Sequence, residues 1–363
     1  MLIKAAVTHH KGSAFKIETV NLSEPKENEV LIKVVASGVC HTDAIVRDQI
    51  APVPLPAVLG HEGSGIVEKI GFNVRTVRPG DHVVLSFSSC GQCEECLTGH
   101  PTTCNELNPL NFGGRMSDHT HRIFYKEQEV STFFGQSSFS TYVVANEKNL
   151  VKVDKDVDLA LLGPLGCGIQ TGSGTVLNKL KPEFGSTIAI YGCGAVGLSA
   201  VMAAKIAGCS KIIAIDVHDH RLELAMELGA THALNGKEVV DVVAQIKEMT
   251  NGGAHYAIET TGVPVVVRQS VQALKNRGTV AIVGATGEVT FNIHQDLMAD
   301  GKTMVGVVEG DAVPQVFIPK LIEYYKRGQF PFNKLIKFYN FDEINEAFED
   351  SHTGKTVKPV LKM

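Results

Sequence analysis

The stretch Thr187-Ile188-Ala189-Ile190-Tyr191-Gly192-Cys193-Gly194-Ala195-Val196-Gly197 decides the fold. A short apolar run reads as a buried strand, breaks into a glycine turn, and passes into the Ala- and Val-rich stretch Ala195–Ala207. In the pattern Gly192-x-Gly194-x-x-Gly197, the glycines allow a tight turn, close approach of backbone to a pyrophosphate, and close helix–strand packing. The phosphate then lies at the positive end of the helix dipole. Asp216 stands 19 residues after Gly197, closing the next apolar run, Lys211–Ile215. A carboxylate there accepts hydrogen bonds from adenosine ribose hydroxyls and repels a 2′-phosphate, which favours NAD over NADP. Arg221, in the following turn, is a candidate to support the same ribose.

Working outward, Ala254–Ile258 and Thr279–Val283 read as further buried parallel strands, and Leu222–Gly229 as a helix that its glycine ends. Residues 169–307 are therefore expected to form a doubly wound α/β domain with a parallel sheet. Before it, residues 1–168 carry short β-rich runs between Gly/Pro turns: Leu31–Val35, Gly65–Ile70, His82–Leu85 and Thr141–Val144. Met1–Lys16 also reads as strand. Residues 308–363 return to mixed character, with helices near Val316–Lys326 and Glu343–Asp350 and a terminal strand at Val357–Leu361. That pattern predicts a β-rich domain, an inserted α/β domain, and a return to the first. Residues 105–138, polar with scattered aromatics, are expected to be loop.

Composition bounds the function. Of 363 residues, 44% are hydrophobic and 20% charged, which suits a folded two-domain protein and not a disordered one. The 34 Lys+Arg against 39 Asp+Glu leave a net charge of −5, with no basic excess to neutralise a nucleic acid. No apolar run approaches the roughly 18 residues of a membrane helix. Lys4 and Lys11 argue against a signal peptide, so a cytoplasmic location is expected.

The eight cysteines are informative through their placement. Cys90, Cys93, Cys96 and Cys104 follow C-x2-C-x2-C-x7-C in one lobe (88–106). Four thiols so close, in a long chain without a secretory signal, fit a tetrahedral structural zinc better than disulfides. Three further Gly-flanked segments each carry one possible ligand: Cys40 in Gly38–Asp43, His61 in Gly60–Gly63, and Cys167 in Gly166–Gly168. Two thiolates and an imidazole leave a fourth position open, as a catalytic zinc requires.

The order Cys40, His61-Glu62, the four-cysteine lobe, Cys167 and then the glycine turn resembles the zinc-dependent medium-chain alcohol dehydrogenases over essentially the whole chain. Cys40-His41-Thr42-Asp43, Leu55–Gly63, Gly163–Gly172 and the closing Lys337–Asn345 resemble more narrowly the bacterial aryl (benzyl) alcohol dehydrogenases. Enzymes acting on allylic terpene alcohols, such as geraniol dehydrogenases, share much of this pattern. The resemblance implies a GroES-like catalytic domain beside a Rossmann domain, NAD, and two zinc ions per chain. It also implies a homo-oligomer, a tetramer more than a dimer.

Residue roles follow from the same likeness. Cys40, His61 and Cys167 would hold the catalytic zinc, which binds and acidifies the alcohol oxygen. Thr42 would take the substrate proton toward the nicotinamide ribose, and Asp43 would orient the imidazole. Glu62 would lie beside the metal. His41 and Lys358 match positions where a cation meets the cofactor pyrophosphate; Thr171 and Val196 match positions packed near the nicotinamide. One departure stands out: three residues after Thr42, where many members place a histidine that ends the proton relay, this chain has Ile45. The aryl-alcohol branch commonly lacks that histidine too.

The expected substrates are aryl or allylic primary alcohols and their aldehydes. Alternatives are a terpene alcohol dehydrogenase, a glutathione-dependent formaldehyde dehydrogenase, a zinc-free quinone or enone reductase, and a non-enzymatic zinc-ribbon protein. The last suffers from the acidic charge, and the quinone reductase has no need of Cys40, His61 and Cys167 together. The substrate walls are expected from Ser86 and Phe87, the 105–138 segment, and residues near Val307.

Overall fold

The computed structural model describes all residues, Met1–Met363. The chain divides into two compact units. The first comprises Met1–Gly168, Val313–Lys320 and Asn333–Met363; the second comprises Ile169–Ala312 and Leu321–Phe332. The second unit thus runs past 307, and the tail crosses back into it once before ending in the first.

Six parallel strands form the sheet of the second unit: Thr187–Tyr191, Lys211–Asp216, His232–Asn235, Ala254–Glu259, Leu274–Ile282 and Thr303–Gly306. By chain position they lie third, second, first, fourth, fifth, sixth. This is the doubly wound Rossmann order. The cause is visible in the first strand, whose five residues are all buried. A strand covered on both faces tolerates only apolar or satisfied side chains. Ala189, Ile213, Ile215, Ala257 and Val280 make one core with Val242 and Ile246 of the helix Val242–Thr250.

The first unit is β-rich. Leu2–Thr8, Lys16–Leu22, Ile123–Tyr125, Gln128–Thr132 and Ala57–Val58 close a small barrel. A seven-stranded sheet runs Leu150–Val153, His82–Leu85, Gly63–Ile70, Glu29–Gly38, Lys358–Lys362, Ile336–Asn340, with Tyr142–Asn146 added against Glu29–Gly38. The strand Lys358–Lys362 pairs antiparallel with Glu29–Gly38, Val360 opposite Gly38, so the last strand is built into the central sheet of the first unit.

One expectation needs correction. Residues 105–138 are not loop: they hold the helix Leu107–Phe112 and the hairpin Ile123–Tyr125/Gln128–Thr132. The hairpin turns through Lys126 and Glu127, both with positive φ (46° and 67°). Such two-residue turns normally announce themselves with Asn-Gly or Asp-Gly. Here the strands are held by distant partners, Ile123 against Leu22 and Val58 against Thr132.

Candidate active site

Cys40 caps the helix His41–Arg47: its backbone N–H donates to Asp43 Oδ2 at 3.1 Å. The other oxygen of Asp43 accepts from Gly60 N (3.0 Å) and meets His61 Nδ1 at 2.9 Å. One wholly buried carboxylate therefore ties the Cys40 helix to the His61 segment and fixes the imidazole's orientation. His61 Nε2 is then left buried with no hydrogen-bond partner. An orphaned buried nitrogen is costly unless something binds it. Its neighbours say what: the ligand atoms of Cys40, His61, Glu62 and Cys167 all lie within 4.8 Å of one another. Tetrahedral zinc, with bonds of about 2.0–2.3 Å, spans such a group.

Charge in this pocket is arranged for a cation. Hydrogen bonding to Cys167 holds the Cys40 thiol well below its ordinary value, and the charges of His61 and Lys358 add to this against the cost of burial. Burial alone would lower His61, but Asp43 and Cys40 raise it well above the usual imidazole range. Burial lifts Glu62 to about 7 despite Lys358. Lys358 is the partner the sequence did not suggest for Glu62: its Nζ lies 2.9 Å from both carboxylate oxygens and donates to Val39 O at 3.1 Å. Gly168 N donates to Glu62 Oε1 at 3.2 Å, joining the Cys167 segment to the same carboxylate. Thr42 is half-buried, its Oγ1 3.7 Å from Cys40 Sγ, and His41 is exposed beside it.

Aromatic rings flank the imidazole. His61 lies 4.7 Å from the Phe134 ring and 5.3 Å from Phe133, and Phe112 packs against both phenylalanines at 5.5 and 5.6 Å. Sequence reading missed all three residues, although the segment's adjacent aromatic pairs, Phe124-Tyr125 and Phe133-Phe134, were a signal. Gln136 was missed too; its Nε2 donates to His61 O (3.1 Å) and Ser86 O (3.2 Å).

The four-cysteine lobe is a second, separate cluster, with all sulfurs within 4.8 Å. Cys90–Cys96 and Cys93–Cys104 are 3.9 Å apart, far beyond a disulfide bond and close to the about 3.8 Å edge of a zinc–sulfur tetrahedron. Backbone N–H groups of Gln92, Cys93 and Glu106 point at the sulfurs at 3.3–3.4 Å, which suits thiolates.

In the second unit, Gly192 turns with φ 89°, and a Cβ on Gly197 would sit 1.7 Å from Gly192 O. The helix Ala195–Ile206 begins here, with Val196 half-buried in its first turn. Asp216 braces the turn: Oδ2 accepts from Cys193 N at 2.6 Å, while Oδ1 accepts from Val217 N and His218 N at 2.7 and 2.9 Å. Gly194 leaves open space where a Cβ would be. Arg221 is half-buried on the helix Asp219–Leu228, and Thr171 is buried, its Oγ1 3.5 Å from Glu309 Oε2.

The likeness to known proteins agrees with this geometry. Residues 26–155 match the alcohol dehydrogenase GroES-like domain and residues 195–326 the zinc-binding dehydrogenase domain. A geraniol dehydrogenase of Castellaniella defragrans is 47% identical over 99% of this chain and 97% of its own. The chain belongs to the zinc-dependent medium-chain alcohol dehydrogenases. Among solved structures of the family, benzyl alcohol dehydrogenase from Acinetobacter calcoaceticus is 52% identical, with a TM-score of 0.97 over 100% of this chain and 99% of that one. An alcohol dehydrogenase zinc-binding domain protein from Burkholderia ambifaria is 50% identical, with the same TM-score and coverage. The alcohol dehydrogenase described here uses NAD and zinc, with a four-cysteine cluster as its structural metal site and the Cys/His/Glu cluster as its catalytic one.

Proposed function

We propose that this alcohol dehydrogenase oxidises aryl primary alcohols of the benzyl type to aldehydes, reversibly and with NAD. The observation that carries the reading is the Phe112–Phe133–Phe134 cluster beside His61. Aromatic faces reward a flat ring with offset or edge contacts, and each buried methylene-sized group adds about 0.8 kcal/mol. The likeness to a benzyl alcohol dehydrogenase supports it. Allylic terpene alcohols are the second reading, favoured by the likeness to a geraniol dehydrogenase.

Cys40, His61 and Cys167 would hold the catalytic zinc, and Cys90, Cys93, Cys96 and Cys104 the structural one. When bound, zinc supplies a Lewis acid for the alcohol oxygen and NAD accepts the hydride. Asp43 holds His61 in one orientation. Thr42 accepts the proton of the alcohol on its hydroxyl and passes it on, and Ile45 cannot carry it further. Glu62 and Lys358 pair with each other in the buried pocket beside the two cysteines. When NAD binds, His41 would meet the pyrophosphate, Gly192, Gly194 and Gly197 would admit it to the backbone, Asp216 and Arg221 would hold the adenosine ribose, and Thr171 and Val196 would pack near the nicotinamide. The setting is the cytoplasm, consistent with eight cysteines that form no disulfide.

The assembly is a homotetramer built on dimers. Thr303–Gly306 ends the parallel sheet with an unpaired edge, and Ile293, Met298, Met304 and Val308 around it in sequence are exposed. The unpaired N–H and C=O groups of this four-residue edge are a template for pairing, here with a second copy.

The test is kcat/KM with NAD across benzyl, cinnamyl, geranyl and ethyl alcohols. Benzyl alcohol should exceed ethanol by about a hundredfold or more. Equal efficiency for the two would refute the aryl reading, and a clear preference for geraniol would replace it with the terpene one.

A further inference from the structure

Just beyond the last parallel strand, three consecutive residues hold left-handed backbone: Glu309 (φ 47°), Gly310 (69°) and Asp311 (49°). Only the middle one is glycine. Two side chains thus occupy a conformation that L-residues rarely adopt, and such turns persist where the surroundings over-determine them. Each of the three is tied to one helical segment, Gly168–Gly174 continued by the π turns of Thr175–Leu180. Gln170 Nε2 donates to Glu309 Oε2 at 3.0 Å, and Thr171 Oγ1 lies 3.5 Å from the same oxygen. Asn178 Nδ2 donates to Gly310 O at 3.2 Å, and Lys179 Nζ pairs with Asp311 Oδ2 at 3.3 Å. The backbones themselves touch: a Cβ on Gly310 would meet Gln170 O at 2.3 Å, and one on Gly174 would meet Gly310 O at 2.3 Å.

The position of this clasp is telling. A doubly wound sheet of this order has two halves, each taking one mononucleotide at the carboxyl ends of its strands. Gly192–Gly197 and Asp216 belong to the first half and serve the adenosine side. The 309–311 turn follows Thr303–Gly306 at the carboxyl end of the second half, which leaves it the nicotinamide side.

We propose that Glu309 is a positioning residue for the nicotinamide half of NAD: its carboxylate, held by Gln170 and Thr171, keeps the left-handed turn and Thr171 in one arrangement. The proposal rests on reading Gly192–Gly197, Asp216 and Thr171 as the dinucleotide site.

The test compares NAD with ADP-ribose, which lacks the nicotinamide, by calorimetric titration of the intact enzyme without substrate. Glu309→Gly removes the carboxylate's contacts with Gln170 and Thr171 while accepting the left-handed φ without steric cost, so the turn still folds. It should weaken NAD about tenfold and change ADP-ribose by less than about twofold. Glu309→Gln keeps an acceptor oxygen and should leave both ligands within about threefold. Gln170→Leu, which removes the donor and leaves the turn's own residues intact, should repeat the Glu309→Gly pattern. Unchanged NAD affinity in Glu309→Gly and Gln170→Leu, or an equal loss for ADP-ribose, would overturn the proposal. A wild-type enzyme that binds neither ligand would instead overturn the dinucleotide-site reading beneath it.

Discussion

At the scale of single residues, the most consequential side chain is Thr42. Its half-buried hydroxyl stands beside Cys40, and the next candidate in the relay, Ile45, is apolar. General acid–base groups contribute about 10²–10⁴-fold, so Thr42→Val should lower the single-turnover rate of alcohol oxidation by that order, whereas Thr42→Ser should be mild. Single-turnover measurement matters because cofactor release can mask the chemical step in kcat. A Thr42→Val enzyme with near-native single turnovers would refute the relay. Tyr191 is a different case. It is 1% exposed in the core of the parallel sheet, and its hydroxyl has no hydrogen-bond partner. Burial raises its pKa with nothing to oppose it. A buried unsatisfied hydroxyl costs about 1–3 kcal/mol, so Tyr191→Phe should stabilise the enzyme by about 1 kcal/mol, read as a higher urea midpoint. A lower midpoint would mean that the hydroxyl has an unrecognised role.

Among the elements, the lobe around Cys90–Cys104 shows how metal substitutes for a core. Its helix Glu94–Leu97 has no buried residue, and Leu97 is 74% exposed. Folding energy there must come from the four thiolates and their ion. Two zinc ions per chain are therefore expected by elemental analysis. A chelator should take the Cys40/His61/Cys167 ion, and activity with it, before the four-cysteine ion, since an open site exchanges ligands more easily. One zinc or none in active enzyme would contradict this. Cys93→Ser should expose the lobe to proteolysis, a change visible on a gel. The hairpin Ile123–Thr132 makes the opposite point. It has no metal and no turn signature, and it exists because the barrel needs two more strands. Its residues then deliver Phe133 and Phe134 to His61.

For the molecule as a whole, the open question is assembly. The edge strand Thr303–Gly306 pairs on one side only, with Leu274–Ile282. Two copies meeting at this edge through a two-fold axis would extend the sheet and cover Met304 and Met298, which are 42% and 67% exposed. Light scattering should therefore give at least about twice the mass of the 39.0 kDa chain, and about four times it where two such dimers associate. Met304→Lys together with Met298→Lys should shift it to smaller species. A wild-type monomer at micromolar concentration would exclude the edge as an interface.

What the sequence by itself determined was whatever depends on local pattern. The apolar strand, glycine turn and Asp216 spacing specify a dinucleotide half-fold, because each needs only neighbours within about thirty residues. The thiol spacing at Cys90–Cys104 likewise singled out a metal lobe from within fifteen residues. The Cys40, His61 and Cys167 segments were legible as types of ligand, yet their convergence was legible only through resemblance. Tertiary structure alone brings those segments together, through Asp43 bonding both Cys40 N and His61 Nδ1, and Glu62 bonding Lys358 from 296 residues away. It alone makes strands of Ile123–Tyr125 and Gln128–Thr132, and it alone gives Asp216 a backbone to brace. Local propensity carries information only along the chain; long-range pairing and buried charge are decided where distant segments exclude water together.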